Sequence, residues 1–425
     1  MSAPLEDVFR DEWGRLLALL VAQYRRLDLA EDGLAEAFEA AARLWPEQGP
    51  PRSPAAWLLT TARRRVLDRL RAEAVAARKE PLLVVDAEVS HGAARVMVDP
   101  GGLVADERLR LVFLCAHPSL SLDAAAALSL RLVLGVSTTD IARLFLVSEP
   151  TMAARLTRAK RRLAVTGVPF AVPQGPAREQ RVGTVAAVAY LAFTAGYAPG
   201  SGTDVTRVSL AGEAIRLVRL LRELAPGEPA FDALLALMLL QHSRRAARED
   251  GVGQLVLLPD QDRSLWDQSD IEEALRLLAP LVTRRLHGAA ADYLLQALIA
   301  AEHAVAPTAA DTRWDRIAEH YAELEALTGS PVVRLNRAVA VAEAQGPAPG
   351  LRLLDGLDER LPQSHRLPAV RAELLSRAGD TEGARTAYDR ALALCGNEAE
   401  RALLATRRKA LDAAAHPPVE SPGDP

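Results

Sequence analysis

Apolar positions recur at three- and four-residue spacing over most of the chain, and that period predicts a succession of helices. The most informative stretch is Ser137 to Leu163, STTDIARLFLVSEPTMAARLTRAKRRL. Ser137, with Asp140 three residues on, predicts an N-cap and capping-box start, and Ile141, Ala142, Phe145 and Leu146 then form an apolar stripe. A second helix is expected from Ser148, since a first turn tolerates Pro150, whose missing amide has no intrahelical partner there. Met152, Leu156, Ala159 and Leu163 mark its buried seam. Thr151, Arg155, Arg158 and Arg162 line up beside that seam at steps of four, three and four, with Lys160 and Arg161 further round. A helix pair with one packed face and one basic face suits major-groove reading, where arginines meet guanine edges and phosphates. The bland alternative is an amphipathic hairpin with a solvated basic face, so the rest of the chain decides.

Before this stretch the same period recurs twice. Trp13, Leu16, Leu17, Leu20 and Tyr24 follow a helical apolar pattern. A second helix begins near Asp28, with Leu34, Ala37, Phe38, Ala41 and Leu44 packing and Glu31, Asp32, Glu36 and Glu39 on positions open to solvent. The turn PEQGPPRSP breaks the helix, and AAWLLTTARRRVLDRLRAEAVAARK follows, burying Leu59, Ala62, Val66 and Leu70 and leaving Arg63, Arg64, Arg65, Arg69 and Arg71 largely outside. Periodicity then lapses over residues 74–104, which read as a linker. Beyond TGVPFAVPQGP come further apolar helices, in which Tyr190, Phe193 and Met238 read as core, and a loop, GVGQLVLLPDQDRSLWD. Aligning Arg337 and Ala338 with Arg371 and Ala372 brings Ala344 onto Ala378, Gly350 onto Ala384, Leu354 onto Tyr388 and Asp355 onto Asp389. That offset of 34 residues is the tetratricopeptide (TPR) period. Helix pairs that cannot bury their faces alone stack into a solenoid, so three repeats are expected over 289–412.

Composition agrees with an all-helical chain: of 425 residues 49% are hydrophobic and only 4% aromatic. The acidic N-terminus, MSAPLEDVFRDEW, lacks the basic and greasy pattern of a signal peptide, and no apolar run has membrane-spanning length, so a cytoplasmic protein is expected. Cys115 and Cys395 lie far apart inside apolar helical patterns and read as core fillers rather than a disulfide or metal site. The net charge of −4 is unevenly spread: residues 1–165 hold 23 Lys+Arg against 21 Asp+Glu, leaving 28 against 34 for the remainder. Basic clusters rather than the overall charge would set a footprint on nucleic acid.

With these pieces in order, DLAEDGLAEAF, SPAAWLLTTARRRVLDRLR and TTDIARLFLVSEPTMAARLTRAKRRL make the first 165 residues resemble extracytoplasmic-function (ECF) sigma factors of bacterial RNA polymerase. LLALMLL, QDRSLWD and SPVVRLNRAVAVAE resemble the long C-terminal extension of one ECF subgroup. The resemblance implies an all-α chain with sigma region 2 at 5–73, a flexible linker at 74–104 and a sigma region 4 helix-turn-helix domain at 105–165. A helical extension domain at 178–285, TPR-like repeats at 289–412 and a disordered tail at 413–425 follow. By the same resemblance Asp28, Glu31, Asp32, Glu36 and Phe38 dock on the clamp helices of the polymerase largest subunit, with the flap as a second polymerase contact. Trp57, Arg63, Arg64 and Arg69 serve the −10 element, where a base leaves the stack and phosphates need neutralising. Ser148, Glu149, Thr151, Arg155, Arg158 and Arg162 serve the −35 duplex. The implied partners are core RNA polymerase, promoter DNA and a signalling partner of the extension. No catalytic residue, metal, cofactor or membrane is implied.

Departures from the family pattern are Ala35 where a glutamine is common, the run Arg63 to Arg65 in the −10 helix, and Thr194 and Ala195 where an Asn-Glu pair often precedes Gly-Tyr. Two other readings stay open on sequence alone. One is a helix-turn-helix regulator with a TPR-like domain that never joins the polymerase. The other is an enzyme in the C-terminal half, for which His242, His287, His303, His320, Asp260 and Asp262 are the polar candidates, though they lack metal-ligand or triad spacing.

Overall fold

The structure, a computed structural model, describes residues 3–76, 102–145, 147–195, 205–248, 256–396 and 398–415. The described residues hold helices and turns and no strand. Most of the expected linker and tail, and Leu146 of the apolar stripe, lie outside them. The chain divides into two compact units, Met1–Asp232 and Ala233–Pro425. That boundary falls within the expected 178–285 domain.

The first unit begins with α1 (Ala3–Tyr24), α2 (Leu27–Gln48) and α3 (Pro54–Ala76). Trp13, Leu16, Leu17, Leu20, Leu34, Ala37, Ala41, Ala62 and Val66 are all buried at the positions their period demands. Arg25, between α1 and α2, takes a positive φ of 54° in a turn, and its guanidinium donates to the Phe170 carbonyl oxygen at 3.2 Å while lying over the Phe170 ring. Helices α4 (Gly102–Cys115), α5 (Leu122–Leu134), α6 (Thr138–Leu144) and α7 (Glu149–Thr166) follow. Helix α5 is the hub: it packs against α1, α4 and α7, and also against α8 (Pro176–Ala195) and α9 (Val205–Leu224). At Gly14 of α1 the approach needs a glycine, since a Cβ there would meet the Val133 carbonyl oxygen at 2.0 Å. Two helices of the extension therefore belong to the same compact body as the first 165 residues. Arg181 of α8 ties in with a 2.6 Å hydrogen bond to the Phe113 carbonyl oxygen.

Helix α10 (Pro229–His242) spans the boundary between the units. In the second unit a tight 3-10 turn at Leu258–Asp260 leads into QDRSLWD, which itself holds a second, Arg263–Leu265. Asp262 caps the second turn through the Ser264 amide, and Asp267 caps α11 (Gln268–Leu278) while pairing with Arg245 at 2.6 Å. The Ser269 and Arg245 hydrogen bonds hold the Asp267 carboxyl well below the usual range. Antiparallel-style hairpins then succeed one another: α12 (Gly288–Val305), α13 (Trp314–Thr328), α14 (Pro331–Gln345), α15 (Pro347–Leu353), the short α16 (Leu357–Arg360), α17 (Arg366–Arg377), α18 (Thr381–Leu394) and α19 (Glu398–Ala415).

The 34-residue alignment holds in three dimensions. Ala338 and Ala372 are both fully buried, Leu354 and Tyr388 both fill the core, and Gly350 and Ala384 are both small buried positions, Gly350 sitting against the Ala338 backbone and the Ala342 side chain. Arg377 pairs with Glu343 and Arg407 with Glu373, each pair spanning 34 residues and so joining one repeat to the next. Apolar clusters are handed along in the same way, from Ile299, Ile317 and Val341 to Leu335, Leu354 and Leu367, and then to Ala372, Tyr388 and Leu404. Gly350 is where this stacking is tightest: a Cβ would meet the Ala338 carbonyl oxygen and the Ala342 Cβ, each at 2.7 Å. Backbone cannot yield as a side chain does. Gly350→Ala is therefore expected to destabilise the second unit by on the order of 1–3 kcal/mol, read as a lower urea midpoint with an unchanged slope.

Candidate nucleic-acid interface

The α6–α7 pair forms as its caps dictate. Ser137 accepts from the Asp140 amide at 3.0 Å to start α6, and Ser148 accepts from the Thr151 amide at 3.4 Å to start α7. Between them Val147 donates to the Ala142 carbonyl oxygen, and Thr139 of α6 donates to Glu149 of α7 at 2.9 Å, fixing the two helices against each other. Gly167, left-handed at φ 61°, ends α7. Met152, Leu156, Ala159 and Leu163 are buried as the seam. Ser148, Glu149, Thr151, Arg158, Arg161 and Arg162 are exposed on the opposite side. Arg155 is partly committed within the fold: it lies 3.7 Å from Asp123 and over the Phe145 ring.

On α2 and α3 the structure brings together two residue sets that the resemblance assigns to different partners. Arg69 donates to Asp32 at 2.6 Å and also pairs with Glu36, while Arg65 reaches Glu36 at 3.4 Å. These pairs face water, Asp32 being 56% exposed, so each contributes at most about 1 kcal/mol and is readily exchanged. Asp28 pairs with Arg26, which also reaches Glu73; the Arg26 hydrogen bond holds the Asp28 carboxyl below its ordinary range. Trp57 stands edge-on to Trp45 at 5.6 Å, and Arg64 is exposed. Arg63 is half-buried, donates to Gln23 at 3.1 Å, and has its pKa lowered by desolvation.

Two expectations for this face need correction. Phe38 is 4% exposed and packs edge-on against Phe9 and beside Trp13, so it supports α2 from within the core rather than presenting a docking surface. The helical period had already placed it inward. Glu31 is not open to solvent: it is 5% exposed and clasped by Arg131 of α5 and Lys160 of α7, each at 2.9 Å. The Arg131 guanidinium also lies over the Trp13 ring and bonds the Val136 carbonyl oxygen, and the Trp13 indole donates to the Arg131 carbonyl oxygen at 3.2 Å. The sequence placed Lys160 only on the basic side of its helix and did not single out Arg131, and a basic residue on a helix carries no mark of a partner 100 or 129 positions away.

The polar candidates of the C-terminal half do not converge. His303 is packed edge-on to Trp314 at 5.2 Å, and burial pushes its pKa down to about 4. Asp262 serves its turn, and His287 stands at the N-cap of α12. Cys115 is wholly buried, which pushes its thiol up and leaves it a core filler.

Comparison with known proteins follows this layout. Residues 9–75 match the family described as Sigma-70 region 2, residues 110–163 match Sigma-70 region 4, and residues 181–282 match a family of unknown function, DUF6596. An uncharacterized protein of Rhizobium meliloti (strain 1021) is 43% identical over 391 residues, which is 91% of each chain. The crystal structure of the P58(IPK) TPR domain is similar at 13% identity, over 90% of this chain and 99% of that one, with a TM-score of 0.26. Among the described residues no helix is long and apolar enough to cross a membrane. With region 2 formed by α1–α3 and region 4 by α4–α7, the chain belongs to the sigma-70 family of RNA polymerase sigma factors, initiation factors rather than enzymes, which direct polymerase to promoter DNA.

Proposed function

We propose that this is an ECF-type sigma factor that reads the −35 element with α7 and the −10 element with α3, and that its two DNA-binding regions are held closed until polymerase is engaged. The ECF reading is supported by the short interval, residues 76–109, between the region 2 and region 4 matches. The observation that carries the DNA reading is the outer face of α7, where Thr151, Arg158 and Arg162 are exposed above a fully packed seam. Ser148, Glu149 and Arg155 complete the −35 set, with Trp57, Arg63, Arg64 and Arg69 as the −10 set. One bidentate base contact contributes only about 1–3 kcal/mol, so each module binds weakly alone. Carried on one polymerase, the two act at high effective concentration and become specific together.

Asp28, Asp32 and Glu36 are the readily available polymerase-docking residues, directed at the clamp helices of the largest subunit, while region 4 meets the flap. Glu31 belongs to the same row but is occupied by region 4 cations. Docking on polymerase competes with that clasp. Packing of α8 and α9 on α5 supports a role for the extension in cis, since these helices brace the region 4 side of the closed form. The repeats of the second unit suit a signalling partner.

Arg158→Ala and Arg155→Ala are expected to lower promoter-specific transcription by about 5- to 150-fold, the range of one lost contact, with binding to core polymerase unchanged. Asp32→Arg is expected to do the reverse, abolishing co-purification with core polymerase. Equal loss of polymerase binding in all three would refute the division of labour. Lys160→Glu in the full chain repels Glu31 and opens the clasp. Its expected effect is tighter binding to core polymerase, on the order of tenfold, because the competent population rises. Unchanged affinity would remove the competition from the account.

A further inference from the structure

Away from the nucleic-acid faces, three donor-bearing side chains meet where the last hairpin of the repeat array joins α19. His365 is the N-cap of α17, Cys395 the C-cap of α18, and Glu400 lies in the first turn of α19. The imidazole nitrogen, the thiol sulfur and a carboxylate oxygen all lie within 4.8 Å of one another, and His365 Nε2 is 2.8 Å from Glu400 Oε2. A zinc tetrahedron with bond lengths of about 2.0–2.3 Å has donor–donor edges of roughly 3.3–3.7 Å, so small side-chain shifts bring the three into register. We propose that His365, Cys395 and Glu400 bind a zinc-class divalent cation that pins α19 to the α17–α18 hairpin.

The donor chemistry chooses the class of ion. One thiolate with one imidazole and one carboxylate is a borderline-soft set, suited to zinc or cobalt and poorly suited to the hard ions magnesium and calcium. Cys395 is only 1% exposed, packed beside Tyr388, Ala391 and Leu404, whereas His365 and Glu400 are partly open. The cation therefore enters from the imidazole and carboxylate side, and water takes the fourth position. Arg401 donates to the Cys395 carbonyl oxygen and holds the turn that presents the sulfur. Arg366, 3.7 Å from Glu400 and largely exposed, can swing away as the cation arrives. Binding converts the thiol to a thiolate and releases its proton to solvent. This placement has a structural use: a helix at the end of a repeat array lacks the two-sided packing of inner repeats, and a metal staple supplies a substitute.

The inference is independent of the polymerase and promoter reading. Its test uses the untagged full-length protein, stripped with chelator and titrated with Co²⁺ and then Zn²⁺. One equivalent of Co²⁺ is expected to produce a thiolate-to-metal charge-transfer band that Zn²⁺ abolishes, and Zn²⁺ is expected to raise the thermal unfolding midpoint. Cys395→Ser removes the band, while Cys115→Ala keeps it. His365→Ala and Glu400→Gln weaken Co²⁺ binding by about tenfold or more, as loss of a ligand costs at least as much as loss of its outer partner. Retained helical circular dichroism in these two variants separates a lost ligand from a lost fold. Absence of the band in the native chain, or its persistence in Cys395→Ser, overturns the site and leaves a hydrogen-bonded His365–Glu400 pair over a buried thiol.

Discussion

A carboxylate removed from water is the constraint on which the first unit turns. Glu31 is buried in α2, and its charge is answered by Arg131 and Lys160 from two helices of region 4. Burying the Glu31 carboxylate is costly, and its attraction to the two partly exposed cations offsets that cost. Removing both cations would strand a buried charge, at a typical cost of about 3–5 kcal/mol. Such a cluster contributes modestly to net stability but strongly to which arrangement is adopted. It holds region 2 and region 4 in one register, and the cation–π contact of Arg131 with Trp13 and the close approach at Gly14 add to the same register.

The neighbouring ion pairs behave differently because water reaches them. Arg69 with Asp32 and Glu36, and Arg26 with Asp28 and Glu73, are exposed and exchangeable. Such weak internal pairing keeps side chains soluble and oriented without binding them tightly. The contrast between Glu31 and Asp32, adjacent in the chain, is one of burial alone. One is clasped between helices of region 4 and the other stays in reach of water.

The second unit relies on repetition instead of a single contact. Each hairpin buries its apolar stripe against the next, and the missing side chain at Gly350 allows the helices to come close. Asp267 and Arg263 lock the loop before the repeats, the latter through the His303 and Ala306 carbonyl oxygens, so QDRSLWD is a structural corner. Its charged composition reflects caps and carbonyl contacts.

Much of the architecture was legible in the sequence. The caps at Ser137 and Ser148, the seam from Met152 to Leu163, the helical core positions of α1–α3 and the 34-residue alignment all rest on interactions within a few residues, or on a period that repeats them. Period also identified Phe38 as a core residue, where resemblance alone had turned it outward. What tertiary structure alone decided was partnership. The period sets Glu31, three and seven residues before Leu34 and Phe38, on the inward face that Asp32 misses, but nothing local marks Arg131 and Lys160 as its counterions, assigns α8 and α9 to the first unit, or draws His365, Cys395 and Glu400 to one junction. Helical period tells which way a side chain faces; the residue it meets there is set by how distant helices pack, and that depends on the whole chain.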